Sequence, residues 1–150
     1  MNDYSSLAGV MERVIHKYNR WENKKRTYGT SLPLSRAEIH TVAAVGDHPG
    51  INVTTLAEIL GITKGAASQM IYKLVEKGRV VKMVSPESDT EVVLNLTKDG
   101  RKDYESHQEY HRQTNEEFFA MLKDMPEPVY QQLSEALSGF EQYLNKKLDE

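Results

Sequence analysis

The sequence predicts a mainly α-helical fold with one small β-hairpin. Long stretches at both ends of the 150-residue chain repeat apolar residues at three- and four-residue spacing. Near the middle, two short helical patterns meet at Gly61. Two runs rich in β-branched residues, 79–84 and 92–96, follow directly, and the polar segment between them contains Pro86 and Asp89. Helices flanking a short hairpin are therefore expected.

The two short helices near the middle have recognisable boundaries. Asn52 and Thr63 are good N-cap residues for them, and Gly61 can take the left-handed conformation of a tight turn. One face of the second helix is apolar and comprises Ala67, Met70, Ile71 and Leu74. The other faces are polar and carry Lys64, Ser68, Gln69, Tyr72, Lys73 and Lys77. Such groups suit base edges and phosphates, although an ordinary helical hairpin with a solvated face has the same pattern.

A helix-turn-helix followed at once by a hairpin is a winged helix. The chain resembles the MarR family of bacterial transcription regulators in three ordered segments, which are LSRAEIHTVAAV, VTTLAEILGITKGAASQMIYKLVEKGRV and LNLTKDGR. The resemblance runs from about Leu34 to Arg101 and extends more loosely to the flanking helices. The resemblance implies that residues 1–150 form a single MarR-type chain. Its DNA-binding part would be a winged helix-turn-helix at 34–97, and its helical dimerisation parts would be 1–28 and 98–150.

Composition excludes several classes of protein. Hydrophobic residues make up 39% and charged residues 27%, as in soluble globular proteins. No apolar run approaches the ~18 residues of a membrane span, and no signal peptide is recognisable, so a cytoplasmic protein is expected. The absence of Cys excludes disulfides and Cys-based metal sites. Without a phosphate loop or a nucleophile motif, an enzyme is not expected.

Charge is distributed unevenly along the chain. The net charge of −3 does not favour nucleic acid, so attraction to DNA must come from local asymmetry. Between Glu12 and Arg26 six basic residues stand against two acidic ones. A local basic surface is therefore available in an acidic chain.

The flanking segments predict further helices. Ser35 and Glu38 form a capping box that opens a helix through Val45, which Gly46 ends. The preceding segment, KKRTYGTSLP, is expected to be a loop. Thr97 caps a long helix to about Lys123, and a last helix follows Pro126 and Pro128. Apolar stripes on the first and last helices predict a homodimer, the alternative being a monomer that folds both ends onto its own core.

The resemblance assigns roles to the second helix of the motif. This recognition helix would enter the major groove, with Ser68 and Gln69 at base edges and lysines at phosphates. The implied DNA-binding set is Lys64, Gly65, Ser68, Gln69, Tyr72, Lys73, Lys77 and Lys82. Two copies would read a palindrome in double-stranded DNA with half-sites about one helical turn apart. The family most often represses transcription, so repression is the expected outcome.

The wing departs from the family pattern. Relatives usually carry Arg at the wing tip, whereas this chain has Asp89 and Thr90 there, between Glu87 and Glu91. Either the recognition helix supplies most of the contact, which we favour, or DNA binding is weak until the wing is neutralised. A winged-helix dimer that binds a protein partner instead of DNA is a third interpretation.

Histidines and aromatic residues suggest an effector site. His107 and His111 are four residues apart on one helix and can chelate one metal ion, with His40 as a third ligand. In register, these residues resemble the ligands of the zinc-responsive branch of the family. That branch also uses a carboxylate ligand from the first helix or the loop after it. In this chain Glu22 lies one turn before the expected position, and Arg26 occupies that position. The alternatives are an aromatic acid or phenol bound by Trp21, Tyr28, His40 and Tyr104, or no effector at all.

Overall fold

The computed structural model describes residues 3–150, which form six helices and two antiparallel strand pairs. The helices are α1 (Tyr4–Glu22), α2 (Arg36–Asp47), α3 (Val53–Leu60), α4 (Lys64–Glu76), α5 (Lys98–Leu122) and α6 (Glu127–Leu148). The strands are β1 (Arg26–Thr27), β2 (Pro33–Leu34), β3 (Val80–Val84) and β4 (Val92–Leu96). The predicted fold class, mainly helical with one hairpin wing, is confirmed.

The chain divides into two compact units. The first extends to Tyr110 and the second is His111–Glu150, so the boundary falls inside α5. The first unit contains the helix-turn-helix, the wing and the first four turns or so of α5. No helix in residues 3–150 combines the length and the apolar character that crossing a bilayer requires.

The core of the first unit lies among α2, α3, α4 and the wing. Its fully buried large side chains include Leu34, Ile39, Val42, Val45, Leu56, Ile71, Leu74, Val80 and Leu94. Burying each such side chain stabilises the fold by roughly 1.5–3 kcal/mol. The core therefore fixes where α4 and the wing stand.

The helix-turn-helix has the predicted boundaries. The Asn52 side chain accepts a hydrogen bond from the Thr55 amide at 2.9 Å, and the Thr63 hydroxyl accepts one from the Ala66 amide at 3.2 Å. Gly61 has a φ of +64°, the left-handed value that allows the turn. All three predicted boundary residues are confirmed.

The second helix begins as predicted but ends later. Ser35 and Glu38 form the reciprocal capping box. Gly46 does not end α2, which continues to Asp47. A Cβ at Gly46 would overlap the ring of Tyr104. Gly46 therefore serves the close packing of α5 on α2, and its prediction as a helix stop was wrong.

The hairpin has the expected position. β3 pairs with β4 in the register Val80↔Leu96 to Val84↔Val92. The strand starts one residue later than its β-branched run, because the Arg79 amide donates to the Leu74 carbonyl at the end of α4. The segment predicted to be a loop before α2 contains the short β1–β2 pair, with Arg26 opposite Leu34.

Helix α5 begins where predicted, whereas α6 begins at Glu127, before Pro128, which lies in its first turn. The Thr97 hydroxyl accepts a hydrogen bond from the Gly100 amide at 3.0 Å and so caps α5, while Pro126 is the N-cap of α6. None of the α6 residues is buried, and the apolar stripe includes Leu137, which is 56% exposed. The large apolar side chains exposed on α1 include Tyr4, Leu7, Val10, Val14, Ile15 and Tyr18.

Candidate nucleic-acid interface and effector site

Helix α4 has one buried face and one exposed face. Ala67, Ile71 and Leu74 are buried in the core, and Met70 is half-buried. The exposed members of the implied DNA-binding set on this helix are Lys64, Gly65, Ser68, Gln69, Tyr72 and Lys73. Because apolar residues anchor the opposite side, these polar groups share one rigid support.

Tyr72 has an acidic neighbour on α4. A hydrogen bond to the Glu76 carboxylate raises the pKa of the Tyr72 phenol. The phenol therefore stays protonated at neutral pH and keeps its donor. The same carboxylate adds negative charge near the C-terminal end of the exposed face, so positive charge is concentrated at Lys64 and Lys73.

Lys77 has a structural partner. It is the C-cap residue of α4, and its ammonium lies 2.5 Å from a carboxylate oxygen of Glu38, which is buried. Burial acts to raise the pKa of Glu38, but hydrogen bonds from Lys77 and the Ser35 amide outweigh it and lower that pKa. Lys77 therefore connects α4 to the capping box of α2, a role that its sequence position does not indicate.

In the wing, Lys82 lies on a strand, whereas the acidic residues lie in or beside the loop that joins the two strands. Lys82 is exposed on β3, opposite Leu94, whereas Glu87, Asp89 and Glu91 are exposed in or beside the loop. The Asn52 amide group donates to a Glu91 carboxylate oxygen at 2.9 Å, so the wing contacts the N-cap residue of α3. Since residues 85–91 contain no Lys or Arg, this loop offers phosphates no positive charge.

The three predicted metal ligands come together. His40 on α2 and His107 on α5 have ring centroids 5.6 Å apart, and His107 is only 5% exposed. His111 follows one turn later on the same helix, and one ligand atom from each of the three histidines lies within 4.8 Å of the others. In tetrahedral Zn²⁺ coordination such nitrogens are about 3.4 Å apart, so small side-chain rotations would suffice.

The expected carboxylate ligand is engaged elsewhere. Glu22 is buried and forms an ion pair with Arg36 at 3.3 Å. The Arg26 guanidinium lies over the rings of Trp21 and Tyr110, 5.2 Å from each centroid, and donates to the Trp21 carbonyl. Within the described residues the ligand cluster is thus three imidazoles without a carboxylate, a set that fits Zn²⁺ with an open coordination position.

The predicted aromatic pocket is only partly assembled. Tyr28 contacts the His107 ring edge-on at 5.4 Å, and Trp21 stacks on Tyr110 at 6.0 Å. Burial raises the pKa of the Tyr28 phenol, so it remains neutral. Tyr110, three residues after His107, was missed in the sequence although its spacing places it beside that histidine.

Tyr104 belongs to a different contact. Its hydroxyl donates to the Asp47 carboxylate at 2.6 Å, which raises the pKa of the phenol, and its ring packs on Gly46. Tyr104 therefore packs against the end of α2, and its assignment to the effector pocket is not supported by these contacts.

One surface pocket lies beside the aromatic group. It has a volume of about 170 Å³ and is lined by Lys17, Arg20, Trp21 and Lys24. Pockets for small organic ligands usually measure about 300–1,000 Å³. The pocket is therefore small for an organic effector, and its walls are strongly basic.

Known proteins resemble both the sequence and the fold. Residues 32–89 match the model of the MarR family. The HTH-type transcriptional regulator YhjH of Bacillus subtilis is 29% identical over 129 residues, 78% of this chain and 74% of its own length. These regulators are not enzymes, which confirms the expectation drawn from composition and motifs.

Solved structures share the fold at lower identity. FabT of Streptococcus pneumoniae in complex with DNA has a TM-score of 0.74 at 22% identity, covering 96% of this chain and 99% of that one. A zinc-responsive MarR family member, ZitR of Lactococcus lactis, has a TM-score of 0.74 at 17% identity, covering 92% and 99%. Matched segment, relative and fold agree: residues 32–89 match the MarR family, and over most of its length the chain is similar to DNA-binding transcription regulators.

Proposed function

We propose that the protein is a homodimeric repressor that binds a palindromic site in double-stranded DNA through α4. The observation that carries the proposal is the exposed polar face of this helix, held from behind by buried Ala67, Ile71 and Leu74. Ser68 and Gln69 supply groups that pair with base edges, and Lys64 and Lys73 supply charge for phosphates. Repression is the simplest outcome, because a bound dimer that blocks RNA polymerase needs no further contacts. Since its target is DNA, we place the protein in the cytoplasm.

The wing plays a smaller part in this proposal. The exposed carboxylates of Glu87, Asp89 and Glu91 repel phosphate, and Lys82 is the one basic residue between 80 and 96. The recognition helix therefore supplies most of the contact, and the wing stands off the backbone.

The proposed dimer is supported by apolar side chains that are exposed on α1 and α6. In the single chain, α6 exposes Val129, Leu133, Leu137 and Leu144, and α1 exposes a stripe of its own. Exposed apolar stripes of this length mark interfaces in soluble proteins. A second copy of the chain supplies a matching surface, because a two-fold interface is self-complementary.

DNA binding is tested with a duplex selected by the purified protein from a random-sequence pool. Lys73→Glu should weaken binding by about tenfold and lower the salt dependence, because a phosphate contact is replaced by repulsion. Lys123→Glu, on an exposed residue after α5, makes the same change in net charge and is the matched control. Equal affinity of Lys73→Glu and the unmodified protein would refute the assigned face.

A metal-responsive regulator is the second candidate. The observation in its favour is the cluster of His40, His107 and His111, whose ligand atoms lie within 4.8 Å of one another. Similarity of fold to a protein described as zinc-responsive adds to it. Zn²⁺ bound there would connect α2 to α5.

Metal analysis of protein purified without a His tag tests this candidate. We expect Zn²⁺ to bind near one ion per chain and to change the affinity for the selected duplex. His107→Ala should abolish both effects, whereas His16→Ala, on an exposed residue of α1, should abolish neither. If His107→Ala binds Zn²⁺ like the unmodified protein, the cluster is not the metal site.

A further inference from the structure

Two charged side chains are buried outside both proposed sites. Asp103 on α5 is 0% exposed and Arg79, between α4 and β3, is 7% exposed. The Arg79 Nε atom lies 2.6 Å from the Asp103 Oδ2 atom. Neither residue has a role in DNA contact or metal binding as described above.

Thr30 joins this ion pair. Its hydroxyl donates to the Asp103 Oδ1 atom at 2.9 Å and accepts from the Arg79 Nη2 atom at 2.8 Å. Each of the three side chains therefore contacts the other two. We call this group the Thr30–Asp103–Arg79 network.

One end of the network is the DNA-binding part. The Arg79 amide donates to the Leu74 carbonyl of α4 at 2.8 Å, and the Arg79 carbonyl accepts from the Thr97 amide at 3.1 Å. A Cβ at Gly100 would overlap that same carbonyl, so α5 packs directly on the Arg79 backbone. The Arg79 backbone therefore joins the end of α4, the base of the wing and the start of α5.

The other end is the histidine cluster. His107 follows Asp103 by one helical turn, about 6 Å along α5. Tyr28, which contacts the His107 ring, lies two residues before Thr30. Two routes, one along the helix and one through the segment before β2, therefore run from His107 to the network.

Stability alone does not account for these residues. A buried ion pair often contributes no more than a well-packed apolar pair of similar volume, because removing both charges from water is costly. The hydrogen bonds of the Thr30 hydroxyl to both charged groups, in contrast, are directional, so they fix the relative position of the groups they join. The network therefore suits a role in orientation.

We propose that Thr30, Asp103 and Arg79 are positioning residues that set the orientation of α4 and the wing base for DNA, and that changes at His107 reach DNA through them. The inference rests on the proposed DNA binding and requires no metal. It predicts that His107 and Thr30 act on DNA affinity as one unit rather than independently.

A double-mutant cycle in chelator tests this, with fluorescence anisotropy on the selected duplex. His107→Gln and Thr30→Val should each weaken binding several-fold. In the Thr30→Val background, His107→Gln should add less than twofold, because the route to α4 is already broken. Thr30→Ser keeps the hydroxyl and should restore the full effect of His107→Gln, and Thr27→Val controls for a change in the same segment.

A second variant separates orientation from folding. Arg79→Met combined with Asp103→Leu replaces the ion pair by apolar side chains and should keep the melting temperature close to that of the unmodified protein. It should nevertheless lose the effect of His107→Gln on DNA. Multiplicative effects in the cycle, or a normal His107→Gln effect in this variant, would overturn the inference while DNA binding stands. If the unmodified protein selects no duplex, the proposed function and the inference both fail.

Discussion

Helices α4 and α6 have similar sequence patterns but different surroundings. Both carry an apolar stripe at helical spacing, yet α4 buries Ala67, Ile71 and Leu74 whereas no residue of α6 is buried. The stripe of α4 rests on the core of its own chain. The stripe of α6 is exposed in the single chain, so the same pattern is a core face in one helix and the face that we propose for association in the other.

The difference in burial between α4 and α6 should be largest in its effect on stability. Leu74→Ala removes a fully buried side chain and should lower the free energy of unfolding by about 2–5 kcal/mol. Leu137→Ala, in the exposed stripe, should cost much less at concentrations where the chain is monomeric. Urea unfolding of both variants measures the difference. Equal losses in dilute protein would mean that α6 is covered within its own chain.

The next prediction concerns association. Leu137→Glu places a charge in the exposed stripe of α6 and should weaken dimerisation by about 100-fold or more, because an unpaired charge is costly to bury in an interface. Light scattering at micromolar concentration measures the molar mass. The proposed role of α6 in association is wrong if the unmodified protein is monomeric, or if Leu137→Glu leaves a dimer intact.

The outer face of α4 yields a smaller effect. Gln69→Ala removes two donors and an acceptor and should reduce discrimination at one or two base pairs by about 1–3 kcal/mol per pair. Affinity for non-specific DNA should change little, because no charge is lost. Selection from a random-sequence pool with both proteins measures this. An unchanged consensus sequence would show that Gln69 does not read bases.

The smallest effect belongs to the contact between α4 and α2. The pKa of Glu38 is lowered in the folded protein, so its stabilising contribution is present at neutral pH and is lost as the pH falls through the folded-state value, below about 4.5. Glu38→Gln should therefore cost about 1 kcal/mol at pH 7, since Lys77 is one-third exposed, and less at pH 3. Urea unfolding at both pH values tests it, and an equal cost at both would contradict the assignment.

Local signals made much of the fold predictable from sequence. Asn52, Gly61 and Thr63 act on residues within one helical turn, so their effect can be read from neighbouring positions. The histidine cluster was also anticipated, because His107 and His111 are one turn apart and a family resemblance supplied His40.

Contacts between distant residues were not predictable in this way. Lys77 and Glu38 are 39 positions apart, and Thr30 and Asp103 are 73 apart. Arg79 begins a run rich in β-branched residues and was assigned to the strand on that basis, although its side chain is buried against α5. Such pairings depend on how α2, α4 and α5 pack, which periodicity within one segment does not encode.

The close packing of Gly46 against Tyr104 has an evolutionary consequence. The two positions share one volume, so a larger residue at 46 requires a smaller one at 104. Among descendants of this sequence, a larger residue at 46 should appear only together with a smaller one at 104, and Gly46→Ala should be rescued by Tyr104→Ala.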